Sequence, residues 1–247
     1  MDAVPYLITF AVGFISQFIG TTVGGVGLFV VPVLIFLGLP PHTAIATCRI
    51  GLLAGNATSW YRFHKEGKVN YQIGIPLTII SAAGAFIGAR ALVQVSGPLL
   101  EKIFGFFVLA IVFFTLFHRD LGVVRRPKPT PLLQSMGYIL LFLIGVMGAF
   151  FSAGTGLLGR GVLIYFYGQT FLESAGTRKI QGAAIGWTSA ITFALSGIVN
   201  WHSALILALG MGIGSYFGAA YAMKKGDAWV RKLFIVIVIF SAIELLL

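Results

Sequence analysis

Long apolar segments run through most of the chain, and they constrain its fold more than any other feature. Six of them have the length of one membrane-crossing helix and lie at about 43–62, 71–93, 101–118, 175–197, 202–223 and 230–247. Only helices and closed β-barrels satisfy the backbone hydrogen bonds in lipid. Barrel strands alternate polar and apolar residues, and these segments do not. We therefore predict an all-α integral membrane protein.

The scarcity of charge agrees with this prediction. Charged residues make up 10% of the chain, whereas a soluble domain carries about 25%. At ~20 residues per span, 247 residues hold about eight spans, which leaves no room for a separate soluble domain. The net charge of +10 then indicates orientation in a bilayer, and no nucleic acid is expected as a partner.

Two further apolar segments, 4–38 and 135–168, are too long for one simple span. Each contains a glycine-rich stretch, at 20–27 in the first and 154–161 in the second. We predict that each is a re-entrant or discontinuous helix interrupted at its glycines. Small residues that let helices pack closely are the alternative interpretation of these glycines.

The two halves of the chain resemble each other. A shift of 134 residues aligns the glycine motifs, Gly20, Thr21, Gly25 and Gly27 falling on Gly154, Thr155, Gly159 and Gly161. A shift of 130 aligns the later helices, Thr47, Arg49, Asn70, Gly84 and Gly88 falling on Thr177, Lys179, Asn200, Gly214 and Gly218. We predict that the two asparagines cap helices and that the four glycines allow close helix packing.

This duplication predicts two membrane repeats, 1–120 and 134–247. Each would contain one glycine-broken helix and three spanning helices, and a cytoplasmic linker at 121–133 would join them. Duplicated membrane proteins of this kind are most often transporters, with the substrate bound between the repeats.

The basic residues favour inverted repeats. If each glycine-broken segment crosses fully, the repeats are parallel. If each dips in and returns, the repeats are inverted, and nearly all loop Lys and Arg from Arg62 to Lys232 fall on one face. The positive-inside rule selects the second arrangement, with both termini outside the cytoplasmic membrane.

Buried cations and helix breaks predict an anion site. Arg49 and its mate Lys179 lie about two turns into their helices. Snorkelling to the headgroups is the alternative role for both. The broken helices would direct backbone N–H groups at an anion. The predicted binding residues are Thr21, Thr22, Gly24, Gly25, Arg49, Asn56, Thr155, Gly156, Arg160, Arg178, Lys179 and Gln181.

Enzyme motifs are missing from the sequence. The chain has no Gly-x-Ser-x-Gly, His-Glu-x-x-His or Walker sequence. The single cysteine, Cys48, excludes an intrachain disulfide and a cysteine-based metal cluster. No carboxylate lies plainly inside a predicted span, as proton coupling usually requires. We expect neither catalysis nor a cofactor.

The glycine motifs resemble those of the sulfite exporter family TauE/SafE. The resemblance rests on residues 20–32, which read Gly-Thr-Thr-Val-Gly-Gly-Val-Gly-Leu-Phe-Val-Val-Pro, on Ala46-Thr47, and on the second-half counterparts at 154–161 and 175–177. The family pattern has a longer glycine run followed by proline. Here Val26 interrupts the first run, and the second copy contains Arg160 without a matching proline.

The resemblance implies export of sulfite, or of a small organosulfur anion such as a sulfonate, across a bacterial cytoplasmic membrane. We predict a secondary carrier that works by alternating access. An inside-negative potential already favours outward movement of an anion, so export needs no obligatory coupling ion. The alternative function is an anion channel for small oxyanions. The sequence leaves the oligomeric state open.

Overall fold

The computed structural model describes residues 4–24, 26–91, 130–150 and 155–246, and these ranges are helices joined by short turns, without a strand. The first half contributes α1 (Val4–Val23), α2 (Val26–Phe36), α3 (Pro41–Lys65) and α4 (Tyr71–Ala91). The second half contributes α5 (Pro131–Phe150), α6 (Thr155–Tyr167), α7 (Phe171–Leu195), α8 (Trp201–Lys225) and α9 (Asp227–Leu246). The all-α prediction is confirmed. The predicted span at 101–118 lies outside the described residues.

Four of these helices are long and apolar enough to cross a membrane, so the chain is an integral membrane protein. They are α1, α4, α5 and α8, over Val4–Thr22, Tyr71–Gly88, Pro131–Gly148 and Trp201–Lys225. The helices α3 and α7 are each 25 residues long, enough at ~1.5 Å per residue for the ~30 Å hydrocarbon core. Both carry buried cations, and each packs against several of the other helices.

The two glycine-rich stretches end up in different local structures. In the first half, α1 ends at Val23 and α2 begins at Val26, so the helix is broken inside 20–27, as predicted. In the second half, α6 begins at Thr155, so 155–161 is helical and the interruption predicted within 154–161 is not found in its described part. The short helices α2 and α6 have 11 and 13 residues, too few to cross a bilayer.

The helices pack into two bundles that exchange one helix between the sequence halves. The first bundle consists of α1, α2, α3 and α8, because α8 packs against α1 and α3. The second bundle consists of α4, α5, α6 and α7, because α4 packs against α5 and α7. The two bundles meet where α3 contacts α7. The two sequence halves are therefore interlocked.

The offset of 130 describes the later helices closely. The bounds 41–65 of α3 and 171–195 of α7 differ by that number, as do the starts of α4 and α8. Asn70 Oδ1 caps α4 by accepting from Ile73 N at 3.1 Å, and Asn200 Oδ1 caps α8 by accepting from Ser203 N at 3.1 Å. The predicted capping role of the two asparagines is confirmed.

The same two asparagines make reciprocal contacts between the halves. Asn200 N donates to Thr47 Oγ1 at 3.2 Å, and Asn70 N donates to Thr177 Oγ1 at 3.1 Å. The two threonines are themselves 130 positions apart. Each half therefore anchors a helix start of the other through the same pair of groups.

The glycine pairs of α4 and α8 pack against helix backbones, as predicted. A Cβ on Gly84 or Gly88 would collide with the carbonyls of Phe142 or Val146 in α5, and one on Gly214 or Gly218 with those of Phe14 or Phe18 in α1. These equivalent contacts relate α1 to α5 by an offset of 128, not 134. Gly20 therefore corresponds to Gly148 in the packing, and not to Gly154. Glycine spacing alone aligns a helix break in one half with a helix start in the other.

Candidate anion-binding site

Arg49 reaches across the boundary between the two bundles. It lies in the first half of α3, among the buried residues Ala46, Thr47 and Cys48, and its own side chain is 4% exposed. Its Nη2 donates to the carbonyl oxygen of Gly148 in the last turn of α5. Carbonyls in the last turn of a helix have no partner within the helix and favour a cation.

Lys179 makes the corresponding contact from the other side. The helix α7 begins with a capping box, in which Thr170 and Glu173 satisfy each other's backbone N–H groups. The side chain of Lys179, 6% exposed, donates from Nζ to Thr21 Oγ1 at 3.0 Å in the last turn of α1. Arg49 and Lys179 thus each reach the end of the first helix of the opposite half.

Two further arginines lie beside Lys179. Arg160, 2% exposed on α6, donates from Nη2 to the Thr21 carbonyl oxygen at 2.7 Å. Arg178, 6% exposed, donates to Gln181 Oε1 at 3.0 Å and to the Thr155 carbonyl oxygen at 3.2 Å. A Cβ on Gly159 would collide with Arg178 Nε, so this glycine lets the guanidinium cross α6.

A cavity of about 80 Å³ lies between these cations. One water molecule needs about 10–15 Å³ on the same measure, so the cavity has room for a small polyatomic anion. Eight predicted site residues line it: Gly24, Arg49, Asn56, Thr155, Gly156, Arg160, Arg178 and Lys179.

The remaining predicted residues occupy other positions. Thr21 and Gln181 lie behind the cations and accept their hydrogen bonds. Thr22 does not line the cavity, and its Oγ1 donates to the Ile19 carbonyl oxygen at 3.3 Å within α1. Gly25 lies outside the described residues.

The cavity lies where equivalent positions of the two halves meet. Residues 49, 52 and 56 of α3 and residues 179, 182 and 186 of α7 all line it, and the two sets differ by 130. Sequence reasoning missed Leu52, Gly182 and Gly186, although the offset of 130 applied to Asn56 would have indicated Gly186. A substrate site at the interface between repeats is typical of duplicated transporters.

Gln17 is a second omission from the sequence prediction. It lines the cavity from α1 and donates from Nε2 to Ser215 Oγ at 3.4 Å. Ser215 Oγ donates to the Gly55 carbonyl oxygen at 2.6 Å and lies 2.6 Å from Thr21 Oγ1. A lone glutamine within an apolar span was a sequence signal that could have identified Gln17. Ser215 had no such signal, because it is not the only serine in α8.

The site has unused hydrogen-bond donors. Arg49 Nε, Arg160 Nε and Nη1, Arg178 Nε and Gln181 Nε2 are buried without a partner. Buried donors are normally satisfied. None of the described residues that line the cavity is Asp or Glu. Positive charge with free N–H groups around a small cavity is the arrangement that binds an oxyanion.

Comparison with known proteins identifies the family. The sequence model described as "Sulfite exporter TauE/SafE" matches residues 9–245. The chain belongs to the TauE/SafE family. The probable membrane transporter protein ORF9 of a Sinorhizobium species is 29% identical over 96% of this chain and 90% of its own length. No solved structure matches.

Two other relatives are similar over nearly the whole chain. A probable membrane transporter protein of Haemophilus influenzae is 26% identical over 93% of this chain and 89% of its own length. The probable membrane transporter protein YfcA of Escherichia coli is 22% identical over 97% of this chain and 88% of its own length. The predicted TauE/SafE resemblance and the assignment to a family of membrane transporters are confirmed.

Proposed function

We propose that this TauE/SafE protein is a secondary transporter that exports sulfite, or a related small organosulfur anion such as a sulfonate, across the cytoplasmic membrane. One observation carries the proposal. The cavity between the bundles is lined by Arg49, Arg160, Arg178 and Lys179, with no carboxylate among the described lining residues. The family description agrees with an oxyanion of sulfur as the substrate.

The contacts around the cavity support alternating access. Among the described residues, three side-chain hydrogen bonds cross from one bundle to the other, from Arg49 to the Gly148 carbonyl, from Arg160 to the Thr21 carbonyl and from Lys179 to Thr21 Oγ1. An anion in the cavity would draw on the same donors. Binding and release of the substrate would therefore change the bonds that hold the two bundles together, as a rocking motion about the site requires.

Reciprocal contacts support two repeats, 1–120 and 134–247, joined by a cytoplasmic linker at 121–133, and we propose that the basic loops and the short helices make these repeats inverted. The exchanged bonds of Asn70 with Thr177 and of Asn200 with Thr47 are those that a two-fold relation between the repeats produces. The short helices α2 and α6 fit segments that enter the membrane without crossing it. With the basic loops inside, both termini lie outside.

Cysteine labelling tests this orientation. Cys48 is buried and is first replaced by Ser. A single cysteine introduced at position 2 or 247 should then react with a membrane-impermeant maleimide added to intact cells. Reaction that requires permeabilised cells would show a cytoplasmic terminus and contradict the inverted arrangement.

The membrane potential suffices to drive the export step. Each negative charge that moves outward gains about 2.3 kcal/mol per 100 mV of inside-negative potential. No coupling cation is needed for this direction, which fits a cavity without a carboxylate among its described lining residues. Uptake of the same anion would need a coupling ion.

Efflux from proteoliposomes tests the function. Vesicles that contain the purified protein are loaded with labelled sulfite or a two-carbon sulfonate and diluted into a chloride medium or into unlabelled sulfite, and an inside-negative potential is imposed with valinomycin. We expect saturable efflux that rises with the potential, and counterflow of the label. Absence of flux for sulfite and for every sulfonate would refute the proposal. High unitary conductance without saturation would show the alternative function, an anion channel.

A further inference from the structure

The positive charge around the cavity is not balanced by the protein groups that contact it. The hydrogen bonds of Arg49, Arg160 and Arg178 go to backbone carbonyls and to the amide of Gln181, and that of Lys179 goes to a hydroxyl. Arginine stays protonated in proteins. Without an anion, at least three buried positive charges therefore face one another with only neutral partners among the described residues.

This charge distinguishes the loaded site from the empty one. Alternating access passes through an intermediate in which the cavity is closed to water on both sides. Buried charges without counter-charges are costly there, because both desolvation and like-charge repulsion grow as water is excluded. A bound dianion offsets most of the excess charge and uses the free donors Arg160 Nη1 and Arg178 Nε.

The hydrogen bonds between the bundles also hinder the conformational change of the empty carrier. Arg49, Arg160 and Lys179 each donate a hydrogen bond to the opposite bundle. These bonds hold the two bundles in one arrangement. An anion that binds the free N–H groups of these side chains also attracts their charge away from the neutral acceptors, and this loosens the junction. The return of the empty carrier is therefore hindered by two effects, its uncompensated charge and the hydrogen bonds between its bundles.

We propose that the transporter is an obligate anion exchanger, which returns from the outward-facing to the inward-facing state only with a second small inorganic anion in the cavity. This inference rests on the proposed function and adds a requirement to its return step. The counter-anion must fit a cavity of about 80 Å³, as chloride or another sulfite does and the much larger gluconate does not. Exchange of a divalent anion for a monovalent one still moves negative charge outward, so the membrane potential still drives export.

Trans-stimulation tests the inference. Proteoliposomes loaded with labelled sulfite are diluted into gluconate, into chloride or into unlabelled sulfite, with the potential held at zero by equal potassium and valinomycin. We expect efflux into unlabelled sulfite to be at least about ten-fold faster than into gluconate. Acceleration by chloride as well would show that a monovalent anion supports the return. Acceleration by sulfite alone would still support obligate exchange.

Failure of this inference differs from failure of the proposed function. Equal efflux into gluconate and into sulfite would overturn obligate exchange and leave sulfite export in place. No efflux in any external solution would refute the export function itself.

Charge variants give a second test. Arg160→Gln removes one uncompensated charge and one bond to Thr21, so the ratio of exchange to net efflux should fall several-fold, even if both rates decline. Lys179→Gln should act in the same way and replaces Arg160→Gln if that variant does not fold. Lys65→Gln, at an exposed lysine far along α3, is the matched control and should keep the wild-type ratio. An unchanged ratio in both cavity variants would overturn the inference.

Discussion

The two bundles contribute different chemistry to the same cavity. The second bundle supplies three cations, Arg160, Arg178 and Lys179, whereas the first supplies Arg49. At an offset of 130, Arg178 corresponds to Cys48 and Arg160 to Val30, both of which lie in an apolar cluster. One copy of the repeat thus has an apolar core where the other carries charge.

The first bundle supplies neutral hydrogen-bonding groups instead. Gln17, Thr21 and Ser215 form a connected network beside the cavity. At the offset of 128 that relates α1 to α5, the equivalents of Gln17 and Thr21 are Gly145 and Ala149, and at the offset of 130 the equivalent of Ser215 is Ala85. None of the three has a polar side chain. An anion in the cavity would therefore meet charge mainly from one bundle and a neutral polar network from the other. A binding site between repeats does not have to be symmetric, although the backbone around it nearly is.

The largest expected effect comes from Arg49 and Lys179, the two cations at equivalent positions of the two bundles. Arg49→Gln and Lys179→Gln should each weaken sulfite binding roughly 100-fold, because loss of a buried charge partner costs about 2–5 kcal/mol. Equilibrium binding to the purified protein measures the change. Similar losses in the two variants would show that both bundles supply essential charge.

Lys65→Gln, at an exposed position of the same helix as Arg49, is the control and should bind as wild type. If Arg49→Gln or Lys179→Gln lowers expression but leaves the affinity of the purified protein unchanged, the residue is a structural cation and not part of the site.

The second prediction tests how far the backbones are equivalent. Gly84→Ala and Gly214→Ala should each lower the free energy of unfolding in detergent by about 1–3 kcal/mol, the usual cost of overpacking. Each new methyl would collide with a helix carbonyl, of Phe142 and of Phe14 respectively. Gly212→Ala is the matched control, because its Cβ would meet Thr58 Cγ2 at an ordinary 3.7 Å.

Comparable losses at Gly84 and Gly214 are expected if the two crossings are equivalent, as the offset of 128 indicates. Destabilisation by one variant alone would break the equivalence of α1 with α5. A loss in Gly212→Ala as large as in the other two would show that any added methyl on these helices is harmful, and that the close crossings have no special role.

Much of the fold follows from sequence because apolar periodicity and repetition are strong signals. Repetition places α3 and α7 at one offset. The helix that follows each of them, α4 or α8, is capped by an asparagine at the same offset, Asn70 or Asn200. Repetition of glycines is weaker, because a glycine serves a helix break in one half and a close side-chain crossing in the other. This is why the glycine pattern pairs Gly154 with Gly20 although the packing pairs Gly148 with it.

The candidate site was predictable in its charges and only in part in its neutral residues. A cation in an apolar helix is costly and therefore informative, and Arg49, Arg160, Arg178 and Lys179 all line the cavity. Small and apolar lining residues such as Leu52 and Gly182 have no distinguishing composition. Their place depends on which helix packs against α3, and that contact, between distant parts of the chain, is set by the tertiary structure.

Gly159 offers a test of the charged bundle alone. Gly159→Ala places a methyl where Arg178 Nε lies, so the guanidinium must move away from Thr155 and Gln181. We expect sulfite affinity to fall about ten-fold, or about 1.4 kcal/mol. Stability should change little, because alanine favours the helix by about 1 kcal/mol over glycine. An unchanged affinity would show that Arg178 does not need its observed position.

The smallest expected effect lies in the neutral network. Ser215→Ala removes the hydroxyl that lies 2.6 Å from Thr21 Oγ1. Because Ser215 Oγ already donates its proton to the Gly55 carbonyl, Thr21 Oγ1 is the donor in that contact and can accept from Lys179. Without Ser215, Thr21 loses the acceptor that fixes this orientation, and we expect this to weaken anion binding by about 1 kcal/mol.

Ser215→Ala should therefore raise the KM for sulfite efflux about five-fold and leave the maximal rate close to wild type. The free energy of unfolding should fall by about 1 kcal/mol, because Gln17 Nε2 and Thr21 Oγ1 lose an acceptor, whereas the Gly55 carbonyl still accepts from Ser59 Oγ at 2.6 Å. Ala85→Ser, at the equivalent position of the second bundle, is the comparison variant. It should not alter KM, because the neighbouring equivalents of Gln17 and Thr21 have no polar side chain to join. A change in KM from Ala85→Ser as large as that from Ser215→Ala would mean that the two bundles contact the anion alike, and that the asymmetry lies in the charges alone.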